Sequence, residues 1–227
     1  MPEKVLIEVA GKTVLQHVWE RARDANPETE PIIATDDERV ADAGRRFKAR
    51  VVMTSSKHLC GSERVAAVAK NLESEIIVNL QADELLIDPG LIAKLPGLFD
   101  DPGLQMATAV TPLSAGLDVN NPSLVKAVLD DRQNVLYFSR LPIPFSGSQN
   151  KDQPAMYGHL GIYAFRRDFL LEMFARPQSS LEKMEKLEQL RVLQAGYRIR
   201  AKIWPSEYLG LNTLEDLARA RKILEGQ

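Results

Sequence analysis

An apolar strand that runs directly into polar side chains constrains this chain more than any other segment. The strand pattern covers residues 76–80, Gln81 follows it at once, and Asp83 and Glu84 come next. In an open α/β sheet, ligands bind in the crevice at the carboxyl ends of the strands, where a carboxylate can hold Mg²⁺ against a nucleotide's phosphates. Asp83 is therefore the first candidate functional residue. The alternative is that Asp83 and Glu84 only open a loop and cap the next helix.

Helical and strand periodicities alternate through the first half of the chain. The pattern predicts helices over 14–25, 38–48, 62–70 and 89–99, and strands over 31–35, 51–54 and 76–80. This alternation is typical of parallel βαβ units, in which helices cover the sheet. We therefore predict an α/β fold with a mixed, mainly parallel sheet flanked by helices.

The second half of the chain predicts an antiparallel extension, over about residues 121–165. Strand patterns cover 106–111, 124–129, 135–139 and 161–165, and residues 130–134 join the second and third of them as a hairpin. Proline, glycine and polar residues predict an exposed loop over 141–154. The remaining elements are predicted as helices over 168–174 and 181–195, a strand over 197–203 and a closing helix after 212–215.

Composition and charge narrow the class of protein. The chain has 227 residues and a formal net charge of -2, which predicts one large soluble domain and gives no sign of a nucleic-acid or membrane partner. Cys60 is the only cysteine, so no internal disulfide can form. Neither a signal peptide nor a membrane-spanning run is recognisable, and we expect a cytoplasmic protein. The three histidines have no close His or Cys pairing, which argues against zinc and leaves a loosely held Mg²⁺ open.

Two polar features of the second half admit structural as well as functional interpretations. Helical spacing over 181–195 places two sets of side chains on different faces of the predicted helix. The apolar Met184, Leu187 and Leu190 are predicted to face a core. The polar Glu185, Glu188 and Gln189 are predicted to share another face. That polar face is either solvated or part of a site. His159, which precedes an apolar strand containing Tyr163, is either a satisfied core histidine or a ligand contact.

The start of the chain differs from that of a usual nucleotide-binding domain. Such domains begin with a strand, a phosphate-binding loop and a helix, whereas no strand pattern and no glycine-rich loop precede Lys4. We therefore expect a single domain over 1–227 that lacks the usual first strand and phosphate loop.

Six ordered sequence blocks carry a resemblance that runs the length of the chain. They are residues 33–37 (IATDD), 61–64 (GSER), 79–84 (NLQADE), 137–140 (YFSR), 159–163 (HLGIY) and 187–191 (LEQLR). Together they resemble the cytidylyltransferases that make CMP-Kdo, the activated form of 3-deoxy-manno-octulosonate (Kdo) used in lipopolysaccharide synthesis. The resemblance implies a fold like that of nucleotide-diphospho-sugar transferases, an extension that forms a homodimer, and Mg²⁺ as cofactor. The implied substrates are CTP and Kdo, and the implied product besides CMP-Kdo is pyrophosphate.

The resemblance also implies roles for individual residues. Asp83 matches a metal-binding carboxylate, Lys4 a lysine that meets the triphosphate, and Asn212 the position of a second metal-binding aspartate. The implied nucleotide-binding residues are Gly61, Ser62 and Arg64. The implied sugar-acid residues are Gln81, Arg140, His159, Tyr163, Glu188 and Gln189, among which Arg140 suits the acid's carboxylate.

Three side chains depart from the family's pattern. Glu3 and Ala82 stand where the family has glycines, and the amide of Asn212 replaces a charged metal ligand. Two alternatives therefore stay open beside a CMP-Kdo synthetase. The chain is a catalytically impaired or silent homologue that serves as a binding or dimer-partner subunit, or it acts on a related acid, such as an amino-substituted Kdo or a neuraminate.

Overall fold

The computed structural model describes residues 4–114, 117–145, 156–206, 211 and 214–226. Its contacts divide the chain into two compact units. Unit 1 comprises Met1–Ser74, Asn79–Lys94 and Leu209–Gln227, and unit 2 comprises Glu75–Val78 and Leu95–Tyr208. The predicted single domain over 1–227 stays a prediction.

Helices and strands are mixed throughout, which confirms the predicted α/β class. In chain order the strands are β1 (Glu8–Val9), β2 (Lys12–Thr13), β3 (Ile32–Thr35), β4 (Arg50–Met53), β5 (Ile76–Leu80), β6 (Met106–Pro112), β7 (Lys126–Leu129), β8 (Val135–Ser139), β9 (Tyr157–Arg166) and β10 (Ile199–Ile203). The α-helices are α1 (Val14–Ala25), α2 (Glu38–Arg46), α3 (Gly61–Ala69), α4 (Pro89–Lys94), α5 (Arg167–Phe174), α6 (Ser180–Glu185), α7 (Leu190–Gln194) and α8 (Leu214–Leu224). No helix in these described ranges has the length and apolar character needed to cross a membrane.

Unit 1 packs helices against the parallel pair β3 and β4. Thr13 caps the start of helix α1, because its side chain accepts a hydrogen bond from the backbone N–H of Gln16 at 3.1 Å and so satisfies one free donor of the first turn. Helix α2 lies close to the strands because a Cβ atom at Gly44 would stand 2.9 Å from both Ile33 and Val51. The first-half periodicity predicts α1, α2, α3 and strands β3, β4 and β5 to within about two residues. The predicted helix over 89–99 is α4 followed by a 3₁₀ helix, Leu95–Asp100, and the two-residue strands β1 and β2 were not predicted.

Unit 2 is built on a larger mixed sheet. Its strand order is β10-β6-β9-β7-β8, and β5 also pairs with β9. Strand β10 runs parallel to β6, whereas the pairs β6–β9, β7–β9 and β7–β8 are antiparallel. Strand β6 lies between β10 and β9, and six of its seven residues are buried, which is the pattern of a strand covered on both faces. The predicted hairpin across residues 130–134 is the turn between β7 and β8.

The predicted continuous helix over 181–195 is wrong. Helix α6 ends at Glu185, Lys186 adopts a left-handed φ of 55°, and α7 begins at Leu190. Leu190 is buried as predicted, but Met184 is 78% exposed instead of facing the core. Because the helix breaks, Glu188 and Gln189 lie in the turn between two short helices and share no helical face with Glu185.

Candidate active site

Lys4 and Asp83 form an ion pair in unit 1. Asp83 lies in the turn that follows β5, and Lys4 begins a single turn of 3₁₀ helix, Lys4–Leu6. Their side chains are about 27% and 32% exposed, so both charges remain accessible to solvent and to a ligand. The structure thus places the predicted metal-binding carboxylate and the predicted phosphate-binding cation in direct contact.

The predicted nucleotide-binding residues lie in the first turn of α3. The guanidinium of Arg64 pairs with Asp36 at 3.1 Å and donates to the hydroxyl of Thr54 at 2.6 Å, which ties α3 to the segments that follow β3 and β4. Ser62 is fully buried, and its Oγ accepts a hydrogen bond from Nδ2 of Asn79 at 3.0 Å. Ser62 therefore fastens α3 to β5, and its role toward a nucleotide stays a prediction.

Gln81 belongs to unit 1, whereas the other predicted sugar-acid residues belong to unit 2. Its side-chain amide lies against Gly61, where a Cβ atom would stand 2.9 Å from Nε2 of Gln81. The glycine at the start of α3 thereby leaves room for the amide. Glycine is favoured at position 61 for a steric reason, because a larger residue would displace the end of the Gln81 side chain.

In unit 2, a bulge in β9 brings His159 and Tyr163 together. The register against β6 shifts between Thr108 and Ala109, so that Gly161 and Ile162 have no partners opposite them. Four residues of a regular strand span about 13 Å, yet the rings of His159 and Tyr163 stack with centroids 5.2 Å apart. The bulge therefore turns the predicted block 159–163 into one aromatic surface.

The hydrogen bonds of His159 fix its tautomer. The hydroxyl of Thr108 donates to the carbonyl oxygen of Ile162 at 2.7 Å, so it accepts from Nε2 of His159 at 2.9 Å. Nε2 then carries the proton, and Nδ1 carries the lone pair. Burial lowers the pKa of His159 to about 3, so the ring is neutral at physiological pH. The histidine can accept a hydrogen bond from a hydroxyl group but supplies no charge to a carboxylate.

Gln189 is buried beside Tyr163, and only the oxygen of its side-chain amide is hydrogen-bonded within the described part of the chain. The Tyr163 hydroxyl donates to Oε1 of Gln189 at 3.1 Å, while Nε2 of Gln189 has no hydrogen-bond partner among the described residues. An unpaired buried donor costs about 1–3 kcal/mol. Such a group is expected where a ligand completes the hydrogen bonding, and it makes this turn the best candidate for acceptor binding in unit 2. Glu188 precedes Gln189 in the same turn.

The guanidinium of Arg140 is held by backbone carbonyls. Nε donates to the carbonyl of Glu185 at 2.9 Å, Nη1 to that of Pro122 at 2.8 Å and Nη2 to that of Lys186 at 3.3 Å. Each of these three partners is a neutral carbonyl, and the guanidinium retains N–H groups for an anion. The predicted contact of Arg140 with the acid's carboxylate stays a prediction.

The metal assignment depends on Asp83. Asn212, the second predicted ligand, lies outside the described residues, as does Glu3. Across the ranges that are described, no group of three or more His, Cys, Asp or Glu side chains could hold a metal ion. Mg²⁺ is often bound through one or two carboxylates together with substrate phosphates. A single accessible carboxylate at Asp83 fits that mode of binding.

Sequence reasoning missed two residues that organise unit 2, Thr108 and Lys126. Lys126 had a visible signal, since it is a lysine inside the apolar run 124–129. Thr108 had none, because its importance arises from the bulge in β9. Glu185 was placed on a polar helix face, but its contacts with Ser139 and Arg140 could not be read from that pattern.

Comparison with known proteins identifies the family of this chain. The family model described as cytidylyltransferase matches residues 1–201. The 3-deoxy-manno-octulosonate cytidylyltransferase of Solibacter usitatus is 47% identical over 226 residues, which cover 99% of this chain and 89% of the relative. The chain belongs to this family. Its members are nucleotidyltransferases, and the resemblance carried by the six sequence blocks is confirmed.

Solved structures support the family and the fold. A CMP:2-keto-3-deoxy-manno-octonic acid synthetase, solved in complex with CTP, is 38% identical with a TM-score of 0.88, and the match covers 100% of this chain and 93% of that one. The 4-diphosphocytidyl-2C-methyl-D-erythritol synthase of Anaerococcus prevotii matches with a TM-score of 0.63 at 16% identity, covering 98% of this chain and 94% of the other, which shows the shared fold alone. The cytidylyltransferase thus has a nucleotidyltransferase-like fold, as predicted.

Proposed function

We propose that this cytidylyltransferase transfers CMP from CTP to the anomeric hydroxyl of Kdo. The hydroxyl oxygen bonds to the α-phosphorus, the bond from that phosphorus to the pyrophosphate oxygen breaks, and the hydroxyl proton passes to solvent. The products, CMP-Kdo and pyrophosphate, would serve lipopolysaccharide synthesis. The family supports this reaction, and the contact between Lys4 and Asp83 is the observation in the structure that carries it.

That contact suits nucleotidyl transfer because it combines two opposite requirements. A triphosphate needs a positive charge to bind, and Lys4 supplies a compact one. A divalent cation needs a carboxylate, and Asp83 supplies it at the end of a strand. When nucleotide and cation are bound, Lys4 would contact phosphate instead of Asp83, and Asp83 would contact the cation instead of Lys4. The chain's contribution to the reaction is then the positioning of charged groups, which commonly dominates such chemistry.

Mg²⁺ is the cofactor that we assign to Asp83, with Asn212 as the second residue from the resemblance. When bound, the ion would neutralise phosphate charge and stabilise the charge that develops on the leaving pyrophosphate. Asn212 would contribute a neutral amide oxygen, which binds a cation more weakly than a carboxylate does. Lys4 remains the protein's own positive charge for the phosphates.

The nucleotide assignment rests on the start of α3. Gly61 and Ser62 lie in its first turn, where the helix dipole favours polar and negative ligand groups. Arg64 holds this turn through Asp36 and Thr54. We assign Gly61, Ser62 and Arg64 to the cytosine and ribose, and Gln81 to the acceptor.

For the acceptor, unit 2 offers complementary polar groups around one aromatic surface. Nε2 of Gln189 would donate to a sugar oxygen, and Nδ1 of His159 would accept from a sugar hydroxyl. Tyr163 orients Gln189 through its hydroxyl. Arg140 would bind the carboxylate, and Glu188 would accept from a further hydroxyl. Because His159 is neutral, Arg140 would be the residue that recognises the negative charge of the carboxylate.

We also propose that the protein is a cytoplasmic homodimer. Three large apolar side chains in and after β8 are exposed, Leu136 by 60%, Leu141 by 70% and Phe145 by 93%. A row of this kind on an antiparallel extension is a typical interface between copies. The resemblance to dimeric relatives supports the same surface.

A direct assay separates this function from its two alternatives. Pyrophosphate release is measured with CTP, Mg²⁺ and, in turn, Kdo, an amino-substituted Kdo and a neuraminate. The proposal expects the highest kcat/KM with Kdo. A higher value with another acid would change the acceptor. Calorimetric binding of CTP and Kdo without any pyrophosphate release would instead favour the silent homologue.

A further inference from the structure

Lys126 is a fully buried charge inside β7. Its relative exposure is 0%, and its ammonium group donates to the backbone carbonyls of Leu124 at 2.6 Å, of Asn121 at 3.2 Å and of Arg140. These three bonds use all three N–H donors of a lysine. Burying an ammonium ion is costly, and a strand needs no lysine to form. The presence of a lysine at position 126 is therefore better explained by the backbone segments that its three hydrogen bonds hold in place.

Two of the three carbonyls belong to the turn at residues 121–124, and the third belongs to Arg140 itself. Lys126 fixes the turn at residues 121–124, and this turn presents the Pro122 carbonyl to Nη1 of Arg140 at 2.8 Å. Lys126 also bonds to the carbonyl of Arg140 itself. The main chain and the guanidinium of Arg140 are thus both connected to one ammonium group.

Glu185 completes the same network from the other side. Its carboxylate accepts from the hydroxyl of Ser139 at 2.8 Å and from the backbone N–H of Arg140 at 3.0 Å, and its carbonyl accepts from Nε of Arg140. The left-handed Lys186 and the turn with Glu188 and Gln189 follow immediately. The position of Arg140 is therefore linked to the segment that carries the proposed acceptor contacts.

Electrostatics show that Lys126 and Arg140 act on each other. Burial and the nearby charge of Arg140 lower the pKa of Lys126, while Asp118 and Glu185 act in the opposite direction. Two cations placed this close repel each other, so the arrangement persists because the surrounding carbonyls hold both. An added carboxylate at Arg140 would relieve that repulsion.

We propose that Lys126 is a positioning residue that sets the place of Arg140 for the carboxylate of the sugar acid. The proposal rests on the proposed function, in which Arg140 binds that carboxylate. Lys126 itself touches no substrate in this account. It acts through the 121–124 turn and through the Arg140 main chain, and it selects for an acceptor that bears a carboxylate.

The experiment is a double-mutant cycle with Lys126→Met and Arg140→Met, measured by pyrophosphate release. Lys126→Met keeps an unbranched apolar stem as far as the ε position and removes the ammonium group. We expect it to raise the KM for Kdo about tenfold or more and to leave the KM for CTP within about twofold, because the proposed nucleotide contacts lie in unit 1. In the Arg140→Met background, the same substitution should change the KM for Kdo by less than about twofold, since coupled residues are non-additive.

Controls separate this role from a loss of folding. Leu170→Ala removes a fully buried side chain of α5 and should destabilise unit 2 without coupling to Arg140. Lys126→Arg retains the positive charge, but a planar guanidinium cannot reproduce the three hydrogen bonds of the ammonium group. This variant replaces Lys126→Met in the experiment if Lys126→Met does not fold. Either Lys126 variant, folded by near-ultraviolet circular dichroism, should raise the KM for Kdo.

Two results would overturn the inference. An unchanged KM for Kdo in a folded Lys126 variant would show that Arg140 needs no support from Lys126. Strictly additive effects with Arg140→Met would show that Lys126 acts elsewhere. Turnover of CTP and Kdo by the wild type is measured first. If the wild type shows none, the proposed function itself is wrong. If the wild type is active, a negative result with the variants counts against the Lys126 proposal alone.

Discussion

Asp83, in the turn that follows β5, is paired with Lys4 at the start of the described chain. The ammonium group of Lys4 therefore lies where a cation bound to Asp83 would lie, and the carboxylate of Asp83 lies where a phosphate bound to Lys4 would lie. A divalent cation has to compete with the ammonium group for the carboxylate, and a phosphate has to compete with the carboxylate for the ammonium group. This relationship predicts that nucleotide and metal assist each other, because phosphate binding to Lys4 releases Asp83.

The first prediction is that Lys4→Met strengthens metal binding while it weakens turnover. With no nucleotide present, the variant should bind Mn²⁺, a spectroscopic substitute for Mg²⁺, several-fold more tightly, because the carboxylate of Asp83 loses its competing cation. Titration followed by electron paramagnetic resonance measures this. Lys12→Met is the matched control, since Lys12 pairs with Glu20 and not with Asp83. Equal Mn²⁺ affinity in wild type and Lys4→Met would contradict the competition.

The second prediction concerns the space that Gly61 leaves for Gln81. Gly61→Ala would place a Cβ atom 2.9 Å from Nε2 of Gln81 and push that amide aside. Because the displaced group is the end of a flexible side chain, stability should change by less than about 1 kcal/mol. The KM for Kdo should nevertheless rise several-fold if Gln81 binds the acceptor. Gly97→Ala, where a Cβ atom would meet nothing within 4 Å, should leave both quantities unchanged.

The third prediction is a pH dependence of stability that originates at His159. Burial lowers its pKa from 6.5 to about 3, so between these values the unfolded chain binds a proton that the folded chain does not. The free energy of unfolding should therefore fall as the pH drops from about 6.5 toward 3, by up to about 1.4 kcal/mol per pH unit, and this contribution is constant above 6.5.

His159→Gln isolates this contribution because glutamine can donate to Thr108 but does not titrate. Urea unfolding of both chains at pH 4.5, 5.5 and 7 measures the difference. Wild type should lose more stability than the variant on acidification, since the other titrating groups are common to both. Parallel pH profiles would show that His159 is accessible to protons in the folded state.

The fourth prediction tests the homodimer. Light scattering at micromolar concentration should give twice the mass of one chain, and Phe145→Asp should lower that mass toward the monomer because it places a charge on the proposed interface. Leu59→Asp, at a residue 68% exposed in unit 1, should have no effect. A monomeric wild type would refute the interface.

Much of the framework follows from local signals in the sequence. Helix α1 matches its predicted bounds of 14–25 because an amphipathic pattern follows an N-cap threonine, and β5 matches 76–80 because an apolar run ends at polar residues. Such signals depend on near neighbours alone. They therefore also predict the β7–β8 hairpin, which a short polar turn connects.

The break after α6 could not be predicted in this way. Residues 181–195 contain no proline and no glycine, so local propensity favours one helix. The break coincides with tertiary contacts, since Arg140 binds the carbonyls of Glu185 and Lys186. A buried pair between Glu182 and Arg191, at 2.7 Å, then joins α6 to α7 on either side of the turn.

The arrangement of the proposed acceptor residues could not be predicted for a related reason. A strand pattern predicts which residues alternate, but it does not reveal the two-residue bulge that brings His159 beside Tyr163. The family resemblance implies roles for both residues but not their geometry. The amide nitrogen of Gln189, which has no partner among the described residues, likewise depends on the packing of a turn that the sequence pattern predicts as helix.

The most direct test of the account is the formation of CMP-Kdo from CTP, Kdo and Mg²⁺, followed by mass spectrometry for the wild type and for Asp83→Asn. The account predicts that the wild type forms CMP-Kdo with equimolar pyrophosphate, and that Asp83→Asn loses about 10²-fold or more of that rate because its amide supplies no charge. Asp24→Asn, which alters a surface pair with Arg23, should match the wild type. A wild type that forms no CMP-Kdo, or an Asp83→Asn variant at the wild-type rate, would contradict the account.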